Sequence, residues 1–305
     1  MDRNKLKTFF AFGAVYIIWG STYLAIRYAV ETIPPFLMMG SRSLLAGLVL
    51  FSLSRFKENS RIKRENLLPL FIIGTLFFLV AHGLLAWSQQ HVPSGLAAVL
   101  VASEPLWILL IEFLFIRDTR VRLKGITGLI LGFIAIAYLI LSSNKVSFND
   151  GNFIGSLIII LGALSWGTGA VYSRVAKLPK SAMLSAGMEL IIGGILLLLT
   201  GFLLKENQGL VISQISARSA FSLGYLIIFG SVITFTAYVW LLGKTSATRI
   251  STHTYVNPVI AVFLGWIIGG EIISYSLLAA TIAIVVSVYL VLHDQYQLKK
   301  TENIY

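Results

Sequence analysis

At 305 residues, with a mean hydropathy of +0.84, 57% hydrophobic residues and only 12% charged, the chain is too apolar for a soluble domain and reads as a polytopic membrane protein. Its formal net charge of +11 would suggest nucleic acid in a soluble protein, but here the basic residues fall between apolar stretches and set topology instead. The absence of cysteine excludes disulfides, cysteine-ligated zinc and iron–sulfur clusters. No His-Glu-x-x-His, Walker loop or Gly-x-Ser-x-Gly motif occurs, so no metal or other cofactor is expected, and gradients must power any transport.

A helix needs roughly 20 apolar residues to cross a hydrocarbon core of about 30 Å. Segments near 9–29, 36–54, 67–88, 93–116, 124–142, 153–173, 183–204, 219–242, 248–268 and 274–292 meet that requirement. Continuous apolar runs such as Leu157–Leu161 and Ile195–Leu199 exclude the alternating pattern of a membrane β-barrel. The first segment lacks an A-x-A cleavage site and has a counterpart in the sixth, so it is a helix rather than a signal peptide.

The first span carries Trp19-Gly20 followed by Ser21 and Thr22, the second an intramembrane Arg42, the third His82, and the fourth Glu104-Pro105 and Glu112. The fifth is uncharged and holds Gly128-x-x-x-Gly132, a spacing that lets helices approach closely in lipid. Next comes Ser142–Asn152, dense in Ser, Asn, Asp and Gly, which favours a turn and marks a boundary. Beyond it the pattern restarts. Trp19, Gly20, Arg27 and Gly47 return 147 residues later as Trp166, Gly167, Arg174 and Gly194, while Arg42 becomes Glu189. At an offset of 153, Trp87, Glu104-Pro105 and Asp118 are answered by Trp240, Asn257-Pro258 and Glu271. The tenth span, like the fifth, is a small-residue packing helix, with Ala279, Ala283 and Ser287.

The expected fold is therefore an all-α integral membrane protein of ten transmembrane helices in two inverted five-helix repeats, 1–145 and 152–292, with a cytoplasmic tail at 293–305. An odd number of spans per repeat inverts the second copy, the arrangement by which transporters build two gates around one midplane site. Most loop Lys and Arg residues lie on the side of the two termini, and only Arg27, Lys145, Lys205 and Arg218 fall on the other, which puts both termini in the cytoplasm.

A charge inside a span costs roughly 2.5–3.5 kcal/mol on insertion scales, so those that persist face a cavity or a partner. Arg42 and Glu189 are expected to contact solute, together with Trp19, Thr22, Trp166, His253 and Asn257. His253 and Asn257 are four residues apart and so share one helix face. Glu189 and His253 are the candidate coupling residues, with a proton as the candidate ion, although a membrane histidine also serves as a packing residue. Pro105 and Pro258 are the expected hinges. Glu104 is expected to be structural, either supporting the carbonyl freed by Pro105 or pairing with Arg42. Trp87 and Trp240 suit the interfacial belt.

The run Tyr16-Ile17-Ile18-Trp19-Gly20-Ser21-Thr22-Tyr23, followed by Arg27 and Pro34-Pro35, resembles the opening of EamA-type bacterial transporters of the drug/metabolite transporter superfamily. Pro93-Ser94-Gly95-Leu96-Ala97-Ala98, Glu104-Pro105, Asn257-Pro258 and Glu271 extend that resemblance over nearly the whole chain. In one place the chain departs: Arg117-Asp118 stands where the family more often has Gly-Glu. The resemblance implies a multi-pass protein of the bacterial cell membrane, not an enzyme, that exports or exchanges small metabolites through a cavity lined mainly by spans other than the fifth and tenth. Amino acids are the first solute class to expect. Efflux of amphipathic drug-like compounds is the alternative, with a lipid-modifying enzyme behind it. The implied partners are a small-molecule solute and the lipid bilayer, with no nucleic acid, and both monomer and homodimer stay open.

Overall fold

The computed structural model describes residues 3–57, 61–115, 121–143, 151–242, 244, 250 and 252–302. Among them nine apolar helices reach spanning length: α1 (Leu6–Ala29), α2 (Pro35–Phe56), α3 (Arg64–Ser88), α4 (Ser94–Phe115), α5 (Leu123–Ser142), α6 (Gly151–Val175), α7 (Ala182–Leu203), α8 (Ala217–Leu241) and α10 (Tyr275–Gln297). A shorter apolar helix, α9 (His253–Ile267), makes the tenth. The ninth span was expected from 248, and 245–249 and 251 lie outside the described residues. So do Arg117, Asp118 and Arg120. The architecture is all-α, with ten helices in the order of two five-helix repeats.

Local chemistry sets the helix ends. Pro35 opens α2, where a missing N–H breaks no helical bond. Ser181 and Ser216 cap α7 and α8 by accepting from Leu184 N (2.9 Å) and Ser219 N (3.1 Å). In α5 one stripe, Ile126, Ile130 and Ile134, is exposed to the lipid side, while Ala135, Ile136 and Leu139 are buried against α10.

Four helices depart from regularity. Wide π turns occur at Ala14–Ile18 in α1, Thr75–His82 in α3 and Leu226–Ile233 in α8. The segments in α3 and α8 overlap under the 153-residue offset, so the distortion belongs to the repeat. Meanwhile α4 breaks at Ala102–Ser103, between Ser94–Val101 and Glu104–Phe115. Pro105 has no N–H to offer the carbonyl of Val101, and the chain turns through Ser103 N→Leu100 O (3.2 Å) and Leu106 N→Ser103 O (2.9 Å) before continuing.

The repeats interlock rather than sit side by side. Helix α1 leaves the first repeat to pack on α8 and α9, and α6 leaves the second to pack on α3 and α4. Between these bundles α2 lies along α7, and α5 pairs with α10 at the periphery. The α2–α7 seam is backbone on backbone: a Cβ at Gly194 would sit 2.6 Å from Leu44 N, and one at Gly47 2.8 Å from Ile191 N. Gly20 and Gly167, equivalent in the two repeats, likewise admit Ile260 of α9 and Trp107 of α4 against their helices.

Candidate functional site

Between the two bundles lies a cavity of about 550 Å³, lined by α1–α4 and α6–α9 and by no residue of α5 or α10. All seven residues expected to contact solute line it: Trp19, Thr22, Arg42, Trp166, Glu189, His253 and Asn257. So does Glu104. Pro105 and Pro258 each directly follow a lining residue, Glu104 and Asn257.

The wide turn of α8 positions two of these side chains. A π turn leaves carbonyls without their usual helical donors, and Gly230 O accepts instead from Trp19 Nε1 at 3.1 Å. The neighbouring Ser231 Oγ accepts from Arg42 Nε at 3.0 Å, while Arg42 Nη1 lies 3.6 Å from Met39 Sδ. In the other bundle the wide turn of α3 is met in the same way, with Ser165 Oγ of α6 donating to Leu76 O at 2.9 Å. These interactions tie each displaced helix to its host bundle.

Two aromatic clusters face the cavity. Trp166 stacks on Phe77 (4.1 Å between centroids) and on His82 (5.3 Å). Trp19 meets Phe235 (5.5 Å), Tyr238 (5.3 Å) and His253 (5.1 Å). The Asn257 amide donates to Tyr16 O (3.1 Å) and His253 O (3.2 Å), which holds α9 to α1, and His253 Nδ1 is buried with no partner among the described residues. Thr22 contributes chiefly shape, because its hydroxyl donates to Trp19 O of its own helix at 2.6 Å. Arg42 and Glu189 are 5% and 8% exposed. The alternative pairing of Arg42 with Glu104 does not form: among the described residues no ion pair involves Arg42, Glu104 or Glu189.

Tyr23, Phe77, Phe78, Phe235, Tyr238 and Ser231 belong to the site's surroundings without a signal in the sequence reading. Glu104 did carry one, since it occupies the position equivalent to Asn257. Trp87, expected at an interface, packs partly buried against the core and meets His91 at 5.7 Å.

The two ends of the cavity differ. At the face holding the α1–α2, α3–α4, α7–α8 and α9–α10 connections, bonds cross between repeats. Glu271 accepts from Ser94 N (2.6 Å) and Gly95 N (2.9 Å) at the start of α4, and Glu206 accepts from Leu37 N (2.9 Å) near the start of α2. Tyr28 donates to Ile268 O (2.9 Å), and Arg218 pairs with Glu31 at 3.5 Å. At the face of the termini the cavity lining continues to Leu178, Pro179 and Lys180 in the α6–α7 connection. There Arg174 pairs with Glu112 and Lys177 with Glu65 (3.5 Å).

Comparison with known proteins follows the same outline. The sequence profile of the EamA-like transporter family matches residues 6–141 and 153–293. The chain is 36% identical to the inner membrane transporter YedA of Escherichia coli (strain K12), over 96% of this chain and 93% of that protein. It is 24% identical to the transporter YoaV of Bacillus subtilis (strain 168), over 91% and 94%. It is 26% identical to the S-adenosylmethionine/S-adenosylhomocysteine transporter of Chlamydia muridarum (strain MoPn / Nigg), over 92% and 90%. A solved crystal structure shares the fold at a TM-score of 0.65 and 19% identity, covering 94% of this chain and 97% of that one. With both halves matched and a relative similar along its whole length, the chain belongs to the EamA-like transporter family and is a multi-pass membrane transporter.

Proposed function

We propose that the protein is a secondary active transporter that exports small organic metabolites, amino acids first among them, by alternating access, with the seven lining residues named above as its solute contacts. The observation that carries this reading is the pairing of repeat-equivalent positions around one cavity: Trp19 with Trp166, Arg42 with Glu189, and Glu104 with Asn257. Inverted repeats that meet at a shared midplane site can exchange shapes and expose that site to each side in turn. The cavity reaches the basic face of the termini, and the opposite face is bonded shut, so the state is one that loads solute from the cytoplasm if the basic face lies inside.

Arg42 can receive a carboxylate on its remaining N–H groups, and Glu189 an ammonium, while the aromatic clusters hold an apolar part. A relative named for S-adenosylmethionine and S-adenosylhomocysteine, both amino-acid derivatives, fits the same chemistry. Purified protein in liposomes preloaded with unlabelled amino acids should accumulate labelled amino acid by exchange. Absence of exchange across an amino-acid panel, with amphipathic dye cations moving instead, would transfer the assignment to drug efflux, which the aromatic walls also suit.

A further inference from the structure

Resting on that reading of the cavity as a solute site, we infer that Glu104 is a second cation-binding carboxylate and that the solute is an amino-acid-like zwitterion bearing one additional positive charge.

The repeats are alike in fold around the cavity but unlike in charge. Of the three equivalent pairs, the tryptophans match, Arg42 corresponds to Glu189, and Glu104 corresponds to the neutral Asn257. One guanidinium therefore stands against two carboxylates. Lys180, the other cationic side chain of the lining, is exposed at the mouth, where water screens it.

Neither carboxylate is committed to the scaffold. Carboxylates elsewhere among the described residues are engaged: Glu271 and Glu206 accept backbone N–H groups, Glu112 pairs with Arg174, and Asp294 accepts from Arg122 N at 3.0 Å. Glu104 and Glu189 have no hydrogen bond or ion pair among the described residues, yet both line the cavity. A buried ionised group without donors is costly, so a purely structural carboxylate is found surrounded by them. An unpaired one that faces a solute space is stabilised when a cation arrives.

The geometry of Arg42 completes the pattern. Ser231 and Met39 hold its Nε and Nη1, and Nη2 makes no hydrogen bond among the described residues, so donors remain for an incoming anion. Arg42 on α2, Glu104 on α4 and Glu189 on α7 line the same cavity, with Tyr23 of α1 in the same wall. A neutral amino acid satisfies Arg42 and one carboxylate, and the other carboxylate then needs a proton. A solute with a carboxylate and two cationic groups satisfies all three charges, and the faces of Trp19 and Trp166 favour a delocalised cation such as guanidinium.

The test is exchange by the full-length protein in liposomes, with labelled L-arginine and L-lysine set against their neutral near-isosteres L-citrulline and L-norleucine. Each cation is expected to exchange at least about ten-fold faster than its neutral counterpart. Glu104→Asn should bring that preference down to near one. Asparagine precedes the equivalent proline in the other repeat, so the local helix accepts it, and Glu104→Gln serves as a second variant if membrane insertion fails. Neutral isosteres exchanging as fast as the cations would overturn the inference and leave the transport reading intact. Retention of the cation preference in both Glu104 variants would equally overturn it. Exchange of none of the four amino acids would overturn the inference together with the amino-acid reading beneath it.

Discussion

Arg42 gives its Nε to Ser231 and packs Nη1 against Met39, so the plane of the guanidinium is fixed before any solute enters. Preorganisation of that kind lowers the entropy lost on binding. Lysine cannot replace it, because one ammonium cannot bond Ser231 and also present a planar fork. Arg42→Lys is expected to reduce amino-acid exchange at least about ten-fold with unchanged membrane levels; full activity in that variant would make Arg42 a packing residue. Ser231→Ala should produce a smaller loss, a few-fold in apparent affinity, because it frees the guanidinium without removing its charge. Glu189 supports a different expectation. A carboxylate facing the cavity with no partner among the described residues can carry a proton when solute is absent, and Gln cannot. Glu189→Gln is therefore expected to abolish stimulation by an imposed pH gradient while solute-for-solute exchange continues at a reduced rate. Gradient stimulation equal to that of the unaltered protein would move the coupling role to His253 or dispense with proton coupling.

At the scale of helices, carboxylates of the second repeat cap helices of the first at the face opposite the termini, and we propose that they hold that face closed. The first N–H groups of a helix have no internal acceptors and carry the positive end of its dipole, so Glu271 at the start of α4 satisfies two donors and a field at once. Hydrogen bonds to a charged group contribute about 1.5–3 kcal/mol, enough to shift a two-state equilibrium by ten-fold or more. Glu271→Gln keeps one acceptor and loses the charge. With Ile26→Cys as a reporter in the cavity lining, that change should raise labelling by an impermeant thiol reagent from the closed face several-fold, and unchanged labelling would show that the clasp does not hold the gate. The cap itself was hard to read from sequence. Glu271 stood out as the counterpart of Asp118 and as part of the family resemblance, but no linear pattern says that it reaches α4. The same holds for helix partners. In lipid no burial code assigns α1 to α8 and α9 rather than to its own repeat, because packing there is decided by shape and small residues instead of hydrophobic patterning. Gly20 and Gly167 were visible as repeat-equivalent glycines beside the tryptophans, but the helices they admit were not. The wide turns of α3 and α8, made mostly of apolar residues with no Pro and no local motif, left no trace at all.

For the molecule as a whole, the inverted repeat was the most legible feature, because it is written in pairs of rare residues: tryptophans, prolines and charges inside spans. Span positions followed from hydropathy, and the cavity lining followed in large part from asking which rare residues recur. Sidedness rests on a separate argument. By chain order the even-to-odd connections fall on the side of the termini and hold most of the loop Lys and Arg residues, whereas among the described residues the opposite face keeps Arg27, Lys205 and Arg218. Basic loops are retained in the cytoplasm during insertion, which supports the proposal that the basic face, and the open end of the cavity with it, lies inside. Because the chain has no cysteine, single cysteines report on this without background. Lys177, exposed in the α6–α7 connection, and Gln208, exposed between α7 and α8, lie on opposite faces. In intact cells a cysteine at Gln208 should react with an impermeant maleimide, while one at Lys177 should react only after the membrane is permeabilised. The reverse pattern would place the cavity mouth outside the cell, and the state described here would then be the one that releases an exported solute instead of the one that loads it.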